Sequence, residues 1–492
     1  MNSVVETIWY KTRNYIFPTF MMIFALFIGV LSYRAPLYSL AMVAGAIYML
    51  CLFVKPIWAY YLMLLVTINC FGFIYEGFLH IPGAFKLRDL CLLALMIPIS
   101  LNIASDKQSM DLVKTPFNKY IMMIMVVVLL IIFYTMFSFD VPFASTLRMS
   151  RKYLFYLSFF VVMYYIRSED DLKKLLKVIF LFGFIAAFLL TTQFAVGTRI
   201  QIMPYIKLEY QQLGGFYVPR VYLHGGISLI ALCFGMSLWI FQATRKKVFF
   251  YLMMLFALGS FLSFGRANWM KAFIIVVVPF LFAVKKEKSR YFIIILSLLA
   301  TGFVAVVCAQ LIGIDFLTPL TKLLARIQET YTEIVTRSGT FGYRLKDSAE
   351  RIQYFIDRPV FGVGFLHYVA AGESLKAVMV KDLYLETIDS GLITLLVTMG
   401  SVGILLFFVV SVAFIARAFK VLKQTHKPLF RGVILGIIGY FIGGICSFIT
   451  LPFFTDVYEI PQIALAFAMV EKINQLNKQE PAIPDTAEKD LQ

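Results

Sequence analysis

Apolar runs recur along almost the whole chain and are separated by short polar segments. Most of these runs approach the ~20 residues that an α-helix needs to cross the hydrocarbon core of a bilayer. The pattern predicts an all-α fold, a polytopic transmembrane helical bundle of about 12–14 spans. The predicted spans are 15–32, 36–54, 58–75, 89–104, 119–138, 153–166, 172–196, 225–243, 248–264, 267–284, 290–312, 389–416, 430–450 and 459–471.

One connection between spans is long, at residues 313–388. Its stretches 318–337 and 343–362 both place apolar residues at helical spacing with a polar reverse side, which predicts amphipathic helices on a membrane surface. The chain therefore divides into an N-terminal transmembrane bundle of about eleven spans (1–312), the helical loop (313–388), C-terminal transmembrane helices (389–471) and a tail (472–492). The composition of the tail is typical of disorder.

The distribution of lysine and arginine predicts the orientation. With a cytoplasmic N-terminus, about 19 basic residues fall in inside loops and about 10 in short outside loops, as the positive-inside rule requires. We therefore expect both termini in the cytoplasm and the loop 313–388 on the extracytoplasmic side. The first apolar run is interpreted as an uncleaved span.

Composition supports a membrane protein and excludes several other classes. The 492 residues are 61% hydrophobic and 15% charged, whereas a soluble domain is nearer half apolar and a quarter charged. The net charge of +17 is explained by cytoplasmic loops, so no nucleic-acid partner is expected. The six cysteines lie in apolar runs without a CxxC pair. Motifs for nucleotide hydrolysis, zinc binding or a serine nucleophile do not occur, and we expect no metal or cofactor.

Several arginines fall on the predicted outer side, and their chemistry is open to two interpretations. An arginine at a span end commonly reaches lipid phosphate or the interface. Alternatively, several of them converge on an anionic ligand, since a guanidinium binds phosphate bidentately and keeps its charge. The candidates from the spans and short loops are Arg88, Arg148, Arg151, Arg220 and Arg266.

Four segments resemble the O-antigen ligase and polymerase family. They are "FKLRDLCLLAL" (85–95), "SFGRANW" (263–269), "GYRLKDSAERIQYFIDRPVFGVGFLHY" (342–368) and "TIDSGLITLLVTMGSVGILLF" (387–407). In the third, Arg344 opens a helix that ends in the family's Pro-x-x-Gly-x-Gly turn, here Pro359, Gly362 and Gly364. In the fourth, Asp389 opens the next span. The segments stand in the order, spacing and sidedness of the family.

The resemblance implies an enzyme of envelope polysaccharide synthesis in a bacterial cytoplasmic membrane. Such enzymes transfer a glycan from undecaprenyl diphosphate to an acceptor outside the membrane, in pathways of the capsule, exopolysaccharide, O-antigen or teichuronic acid type. The implied partners are the undecaprenyl-diphosphate-linked oligosaccharide, the lipid bilayer, a chain-length regulator and a flippase. Neither a nucleotide sugar nor a metal is implied.

The resemblance also suggests roles for residues. Negative charge builds on the lipid diphosphate as the glycosidic bond breaks, and preplaced guanidinium groups stabilise that charge in the transition state. Arg266 and Arg344 are the candidate diphosphate clamp. Arg220, Arg148, Arg151 and Arg88 are candidate substrate-binding residues.

The identity of a general base for the acceptor hydroxyl stays open. Asp389 is the first candidate, with Glu386 and His367 behind it, although an aspartate at a span start equally serves as a helix N-cap. Ligases of the family have a histidine near the end of the outer loop. In this chain His367 comes one turn too early, and "KDLYLETIDS" (381–390) contains no histidine, which favours a polymerase.

Three alternatives remain beside the polymerase, and one of them, a purely structural membrane protein, leaves the convergence of arginines at one face unexplained. The second is a ligase that transfers finished chains to another acceptor. The third is a glycan-lipid flippase, which needs a charged central cavity and usually shows a repeated half. The near absence of mid-span charges and of a repeat argues against the flippase.

Overall fold

The computed structural model describes residues 36–68, 85–197, 200–203, 207–213, 216–222, 226–241, 247–262, 266–282, 339–366 and 390–479, with short pieces at 288–289, 292, 295–296, 328, 331–333 and 335–337. Within these residues the side chains of both strands and of some helix ends are not described. The helices of the described part are α1 (Pro36–Val54), α2 (Pro56–Ile68), α3 (Leu87–Ser105), α4 (Lys107–Val113), α5 (Asn118–Phe139), α6 (Phe143–Ser150), the 3-10 helix Arg151–Leu157, α7 (Ser158–Tyr165), α8 (Glu169–Val196), α9 (Ile227–Ile240), α10 (Lys247–Leu262), α11 (Arg266–Phe282), α12 (Gly339–Asp357), α13 (Gly391–Gln424), α14 (Pro428–Ser447) and α15 (Ile460–Gln479).

The all-α transmembrane prediction is confirmed. Among the described residues, five helices are long and apolar enough to cross a membrane: Leu87–Ser105, Asn118–Phe139, Glu169–Phe194, Gly391–Gln424 and Pro428–Ser447. Shorter apolar helices lie at Val43–Val54, Pro56–Ile68, Ile227–Ile240, Val248–Ser260 and Asn268–Leu281. The chain is therefore a polytopic helical membrane protein. The total number of spans stays a prediction, because the candidate spans 15–32 and 290–312 lie wholly or largely outside the described residues.

One β-hairpin interrupts the helices and was not predicted. Strands β1 (Lys207–Leu213) and β2 (Phe216–Tyr222) pair antiparallel, with Lys207 opposite Tyr222 and Leu213 opposite Phe216. The sequence does carry a signal for it, since Gly214 and Gly215 form a two-residue dipeptide of the kind that closes tight hairpins. The hairpin lies between α8 and α9.

The core is built around α9, α14 and α15, whose residues are mostly buried. Small residues on α14 allow α9 to approach closely: a Cβ on Gly436 would lie 2.7 Å from Cδ1 of Phe234. At the same contact, the thiol of Cys233 donates to the carbonyl oxygen of Gly436 at 2.8 Å. Membrane helices without a hydrophobic driving force between them pack by this close approach.

Helix α15 extends to Gln479, beyond the predicted domain boundary at residue 471, so residues 472–479 belong to the bundle and not to the tail. The extension is explained by its contacts with α13. Arg417 donates to Glu471 from Nε to Oε1 at 2.6 Å and from Nη2 to Oε2 at 2.9 Å. Six residues after Glu471, the Asn477 amide donates to the hydroxyl of Thr425, the residue that caps the C-terminus of α13, at 2.6 Å.

Candidate functional site

The structure leaves most of the predicted catalytic residues untested. His367, Glu386 and Asp389 lie outside the described residues. Arg266 is the first residue of α11 and Arg344 lies in the first part of α12, but their side chains are not described. Arg220 lies in β2, opposite Glu209, and its side chain is likewise outside the description.

Two of the predicted substrate-binding arginines are brought together at the start of α3. Asp89, whose side chain is fully buried, accepts the backbone N–H of Lys86 through Oδ2 at 2.7 Å, which caps the helix. The same Oδ2 lies 3.4 Å from Nε of Arg151, in the 3-10 helix. Arg88 is adjacent to Asp89 in the chain and is also buried. The carboxylate therefore holds one guanidinium beside a second at one end of the bundle.

Arg148 is more exposed than this pair. It lies on α6, one helical turn before Arg151, and its side chain is exposed. Arg148 is thus close to Arg151 in the chain, and Asp89 connects Arg151 with Arg88. Of the three, Arg88 and Arg151 are the ones largely shielded from solvent. Arginines in such surroundings act on anions more strongly than exposed ones, because the local dielectric is lower.

A second charged cluster was missed by the sequence reasoning. Nζ of Lys271 on α11 lies 2.9 Å from Oε1 of Glu459, which immediately precedes α15. The Tyr440 hydroxyl of α14 donates to the other carboxylate oxygen, Oε2. Lys271 and Tyr440 are fully buried. The sequence does mark these two residues, because Lys271 and Glu459 are isolated charges in or beside apolar runs.

The two clusters lie at the same end of the bundle and meet at Tyr458. The guanidinium carbon of Arg88 is 5.8 Å from the centroid of the Tyr458 ring, within the range of a cation–π interaction. Tyr458 precedes Glu459 in the chain. Helices α3, α11 and α15 all begin at this end, so their N-terminal dipoles also favour an anion there.

The predicted Pro-x-x-Gly-x-Gly turn docks onto a break in α13. Gly400 has φ 62° and ψ −157° inside the helix, a backbone conformation essentially restricted to glycine. In an unbroken helix the N–H of Ser401 would donate to the carbonyl of Val397. Instead the Val397 carbonyl accepts the N–H of Val363 at 2.8 Å. The loop segment that carries the turn is thereby hydrogen-bonded to a transmembrane helix.

Contacts with α5 hold the second half of the turn. The N–H of Phe365 donates to the Thr135 hydroxyl at 3.0 Å, and the Tyr134 hydroxyl donates to the carbonyl of Gly362 at 3.3 Å. Arg358, which follows α12, lies over the Phe139 ring with 4.3 Å between Cζ and the ring centroid. Helix α12 and its Arg344 therefore emerge from a fixed point on the bundle.

Among the described residues, no group of three or more His, Cys, Asp or Glu side chains is arranged to hold a metal ion. The charged chemistry at this end of the bundle is supplied by guanidinium, ammonium and carboxylate groups.

Residues 250–408 match the protein family described as O-antigen ligase. The matched region contains α11, α12, the turn at 358–366 and the break in α13, together with Arg266, Arg344 and Asp389. The resemblance stated from the motifs is thereby confirmed, and the match supports glycan transfer of the O-antigen ligase or polymerase type. No curated protein matches the chain.

Proposed function

We propose that this chain is a polymerase of lipid-linked oligosaccharide repeat units. It transfers a glycan from undecaprenyl diphosphate to an acceptor sugar at the outer face of a bacterial cytoplasmic membrane. The observation that carries the proposal is the family match over residues 250–408, which includes three of the four segments that carry the resemblance.

The two arginines beside Asp89 support an anionic donor. Arg88 and Arg151 share one end of the bundle with Lys271, and cationic groups gathered in a site partly withdrawn from water attract a polyanion. As the glycosidic bond to the lipid diphosphate breaks, negative charge grows on the departing phosphate oxygen. Preplaced guanidinium groups stabilise this charge without a metal ion.

The proposal assigns Arg266 and Arg344 as the diphosphate clamp, with Arg88, Arg148, Arg151 and Arg220 as further binding residues. The acceptor hydroxyl gives up its proton to a base, for which Asp389, Glu386 and His367 are the candidates. The fixed turn at 358–366 supports Arg344 in this role, since a clamp must be held in place to act.

The departure from the ligase pattern around His367 favours repeat-unit polymerisation. The description of the matched family keeps the ligase as the second candidate. The two differ in what accumulates when the activity is lost. Without a polymerase only short lipid-linked units remain, whereas without a ligase long chains stay on the lipid carrier.

Reconstitution of the purified protein with lipid-linked repeat units tests the proposal. We expect a ladder of lengthened glycans on a gel, and Arg266→Ala or Arg344→Ala should abolish it while the protein still inserts. Lys173→Ala, which removes an exposed lysine on α8, is the control and should leave the ladder unchanged. Wild-type protein that produces no ladder but moves finished chains to another acceptor would identify a ligase, and normal ladders from both arginine variants would refute the assigned roles.

A further inference from the structure

The buried ion pair between Lys271 and Glu459 is not used by the proposed reaction. The exposed fraction of Lys271 is 1%. Its ammonium group lies 4.6 Å from the centroid of the Tyr440 ring and 5.0 Å from that of Phe453. Taking an ammonium group and a carboxylate out of water is costly, and ionisable residues within membrane helices usually mark functional sites.

Hydrogen bonds of Glu459 and its neighbours hold the backbone of Tyr458. The single proton of the Tyr440 hydroxyl is donated to Glu459, and the backbone N–H of Gln462 donates to the carbonyl oxygen of Glu459 at 3.0 Å. The amide nitrogen of Gln462 in turn donates to the carbonyl oxygen of Tyr458 at 2.8 Å. The N–H of Tyr458 donates to Oδ1 of Asp456 at 3.2 Å. The N–H and the carbonyl oxygen of Tyr458 are therefore both hydrogen-bonded to side chains.

The ring of Tyr458 lies against Arg88, and the neighbouring Asp89 holds Arg151. We propose that Lys271 and Glu459 form a positioning pair: they fix the segment before α15 so that Tyr458 orients Arg88, and with it the Arg88–Arg151 cluster, towards the diphosphate of a lipid-linked substrate. This inference rests on the proposed function for the identity of the anion. Neither residue of the pair needs to touch the substrate.

A purely structural role is the competing explanation, and the chain offers a matched comparison. Arg417 of α13 and Glu471 of α15 form a second ion pair, twelve residues beyond Glu459 and near the opposite end of the bundle, in which Glu471 is buried and Arg417 is 18% exposed. Breaking either pair by removing one charge should lower stability, because the remaining charge is left buried. Only the Lys271–Glu459 pair leads to the arginine cluster.

The experiment compares Lys271→Met, Glu459→Gln and Tyr458→Leu with the controls Arg417→Met and Glu471→Gln. Binding of undecaprenyl diphosphate is measured in nanodiscs on protein that elutes as a single species. KM and kcat are measured separately with lipid-linked repeat units. We expect Kd and KM to rise about tenfold to a hundredfold in the first three variants, with a smaller change in kcat, since small displacements of binding groups have effects of this size. The two controls should lower the Tm but leave Kd and KM at the wild-type values.

Tyr458→Leu keeps the ion pair, so it tests the inference even where Lys271→Met or Glu459→Gln fails to fold. Lys271→Arg, which preserves the charge, should restore part of the affinity. Equal effects of both ion pairs on Kd, or unchanged Kd in Tyr458→Leu, would overturn the positioning role. Wild-type protein that binds undecaprenyl diphosphate without elongating a glycan would refute the proposed polymerase while leaving this inference standing.

Discussion

The backbone N–H of Ser401 donates to the carbonyl oxygen of Pro359 at 2.8 Å. One residue further, the N–H of Val402 donates to the carbonyl of Val360 at 3.2 Å. The Pro-x-x-Gly-x-Gly turn that contains Pro359 thus supplies the hydrogen-bond acceptors that the break at Gly400 removes from α13. Because a helix break without such replacement would leave polar groups unsatisfied within the bundle, the turn and the break depend on each other.

Replacement of Gly400 by alanine should disrupt this docking. The left-handed backbone at Gly400 costs a residue with a side chain about 1–3 kcal/mol, and a Cβ there would collide with the carbonyl of Val360. We expect a lower Tm in detergent and shortened glycan ladders. The control is Gly45→Ala on α1, where an added Cβ meets no atom within 4 Å. A Gly400→Ala protein as stable and active as the control would show that the turn does not need this geometry.

Thr135→Val removes the hydroxyl that accepts the N–H of Phe365. Phe365 is buried, so its N–H would be left without a partner at a cost of about 1–3 kcal/mol. The measurement is the midpoint of thermal unfolding, with hydrogen exchange at residues 362–366 as a local probe. In the control Thr192→Val, the lost hydroxyl donates only to the carbonyl of Phe188 in its own helix, and stability should be nearly unchanged. Equal losses in the two variants would contradict the anchoring role of Thr135.

Asp89→Asn should weaken both the fold and the arginine cluster. The substitution removes a buried negative charge beside Arg151 and Arg88, and unbalanced buried charges typically cost about 3 kcal/mol or more. We expect less folded protein and, in the fraction that folds, weaker binding of undecaprenyl diphosphate. Asp170→Asn on α8, an exposed position, serves as the control. Undiminished binding by Asp89→Asn would mean that Arg151 does not need this carboxylate for its orientation.

Gln193→Leu should release the segment that leads from α8 to the hairpin. The buried side chain of Gln193 donates to the carbonyls of Gly197 and Ile200 at 2.7 and 3.0 Å, and it accepts the N–H groups of Ile202 and Met203 at 2.8 and 3.2 Å. Loss of these bonds should cost at least about 2 kcal/mol. Limited proteolysis should then cut near 197–203.

The surface variant Gln353→Leu, on α12, provides the comparison for that proteolysis. Its amide contacts only Asp357 of the same helix, at 3.2 Å, so the cleavage pattern should stay as in the wild type. Protection of residues 197–203 in Gln193→Leu would show that other contacts hold the segment.

Hydrophobic periodicity predicted the spans well where a helix is uniformly apolar. The predicted span 430–450 corresponds to α14 and 119–138 to α5, because lipid or core packing on every side demands apolar residues throughout. It was least informative for α15, where Glu471 and Lys472 end the apolar run although the helix continues to Gln479. Contacts with residues distant in the chain hold the helix there, the Arg417–Glu471 ion pair and the Asn477–Thr425 hydrogen bond, and such partners cannot be recognised from local sequence.

The candidate site was predicted only in part, because contacts between residues that are distant in the chain leave no signal in the local sequence. The motifs indicated the turn at Pro359, Gly362 and Gly364, whose backbone demands are local. Its partner, the break at Gly400, depends on a contact between segments about forty residues apart. Lys271 and Glu459 are farther apart still, and a single sequence contains no signal that joins them. Arg88 and Arg151 were predicted individually, but Asp89, which lies between them, was not.

The pairing of Lys271 with Glu459 also affects the order in which the protein is made. The two residues are separated by 188 positions, so at roughly 5–20 residues per second a ribosome needs on the order of ten seconds or more to reach the glutamate. During that interval Glu459 has not yet been made, and we expect the long side chain of Lys271 to reach towards the headgroups. We therefore expect Lys271 to take up its buried position only after the segment that carries Glu459 has joined the bundle.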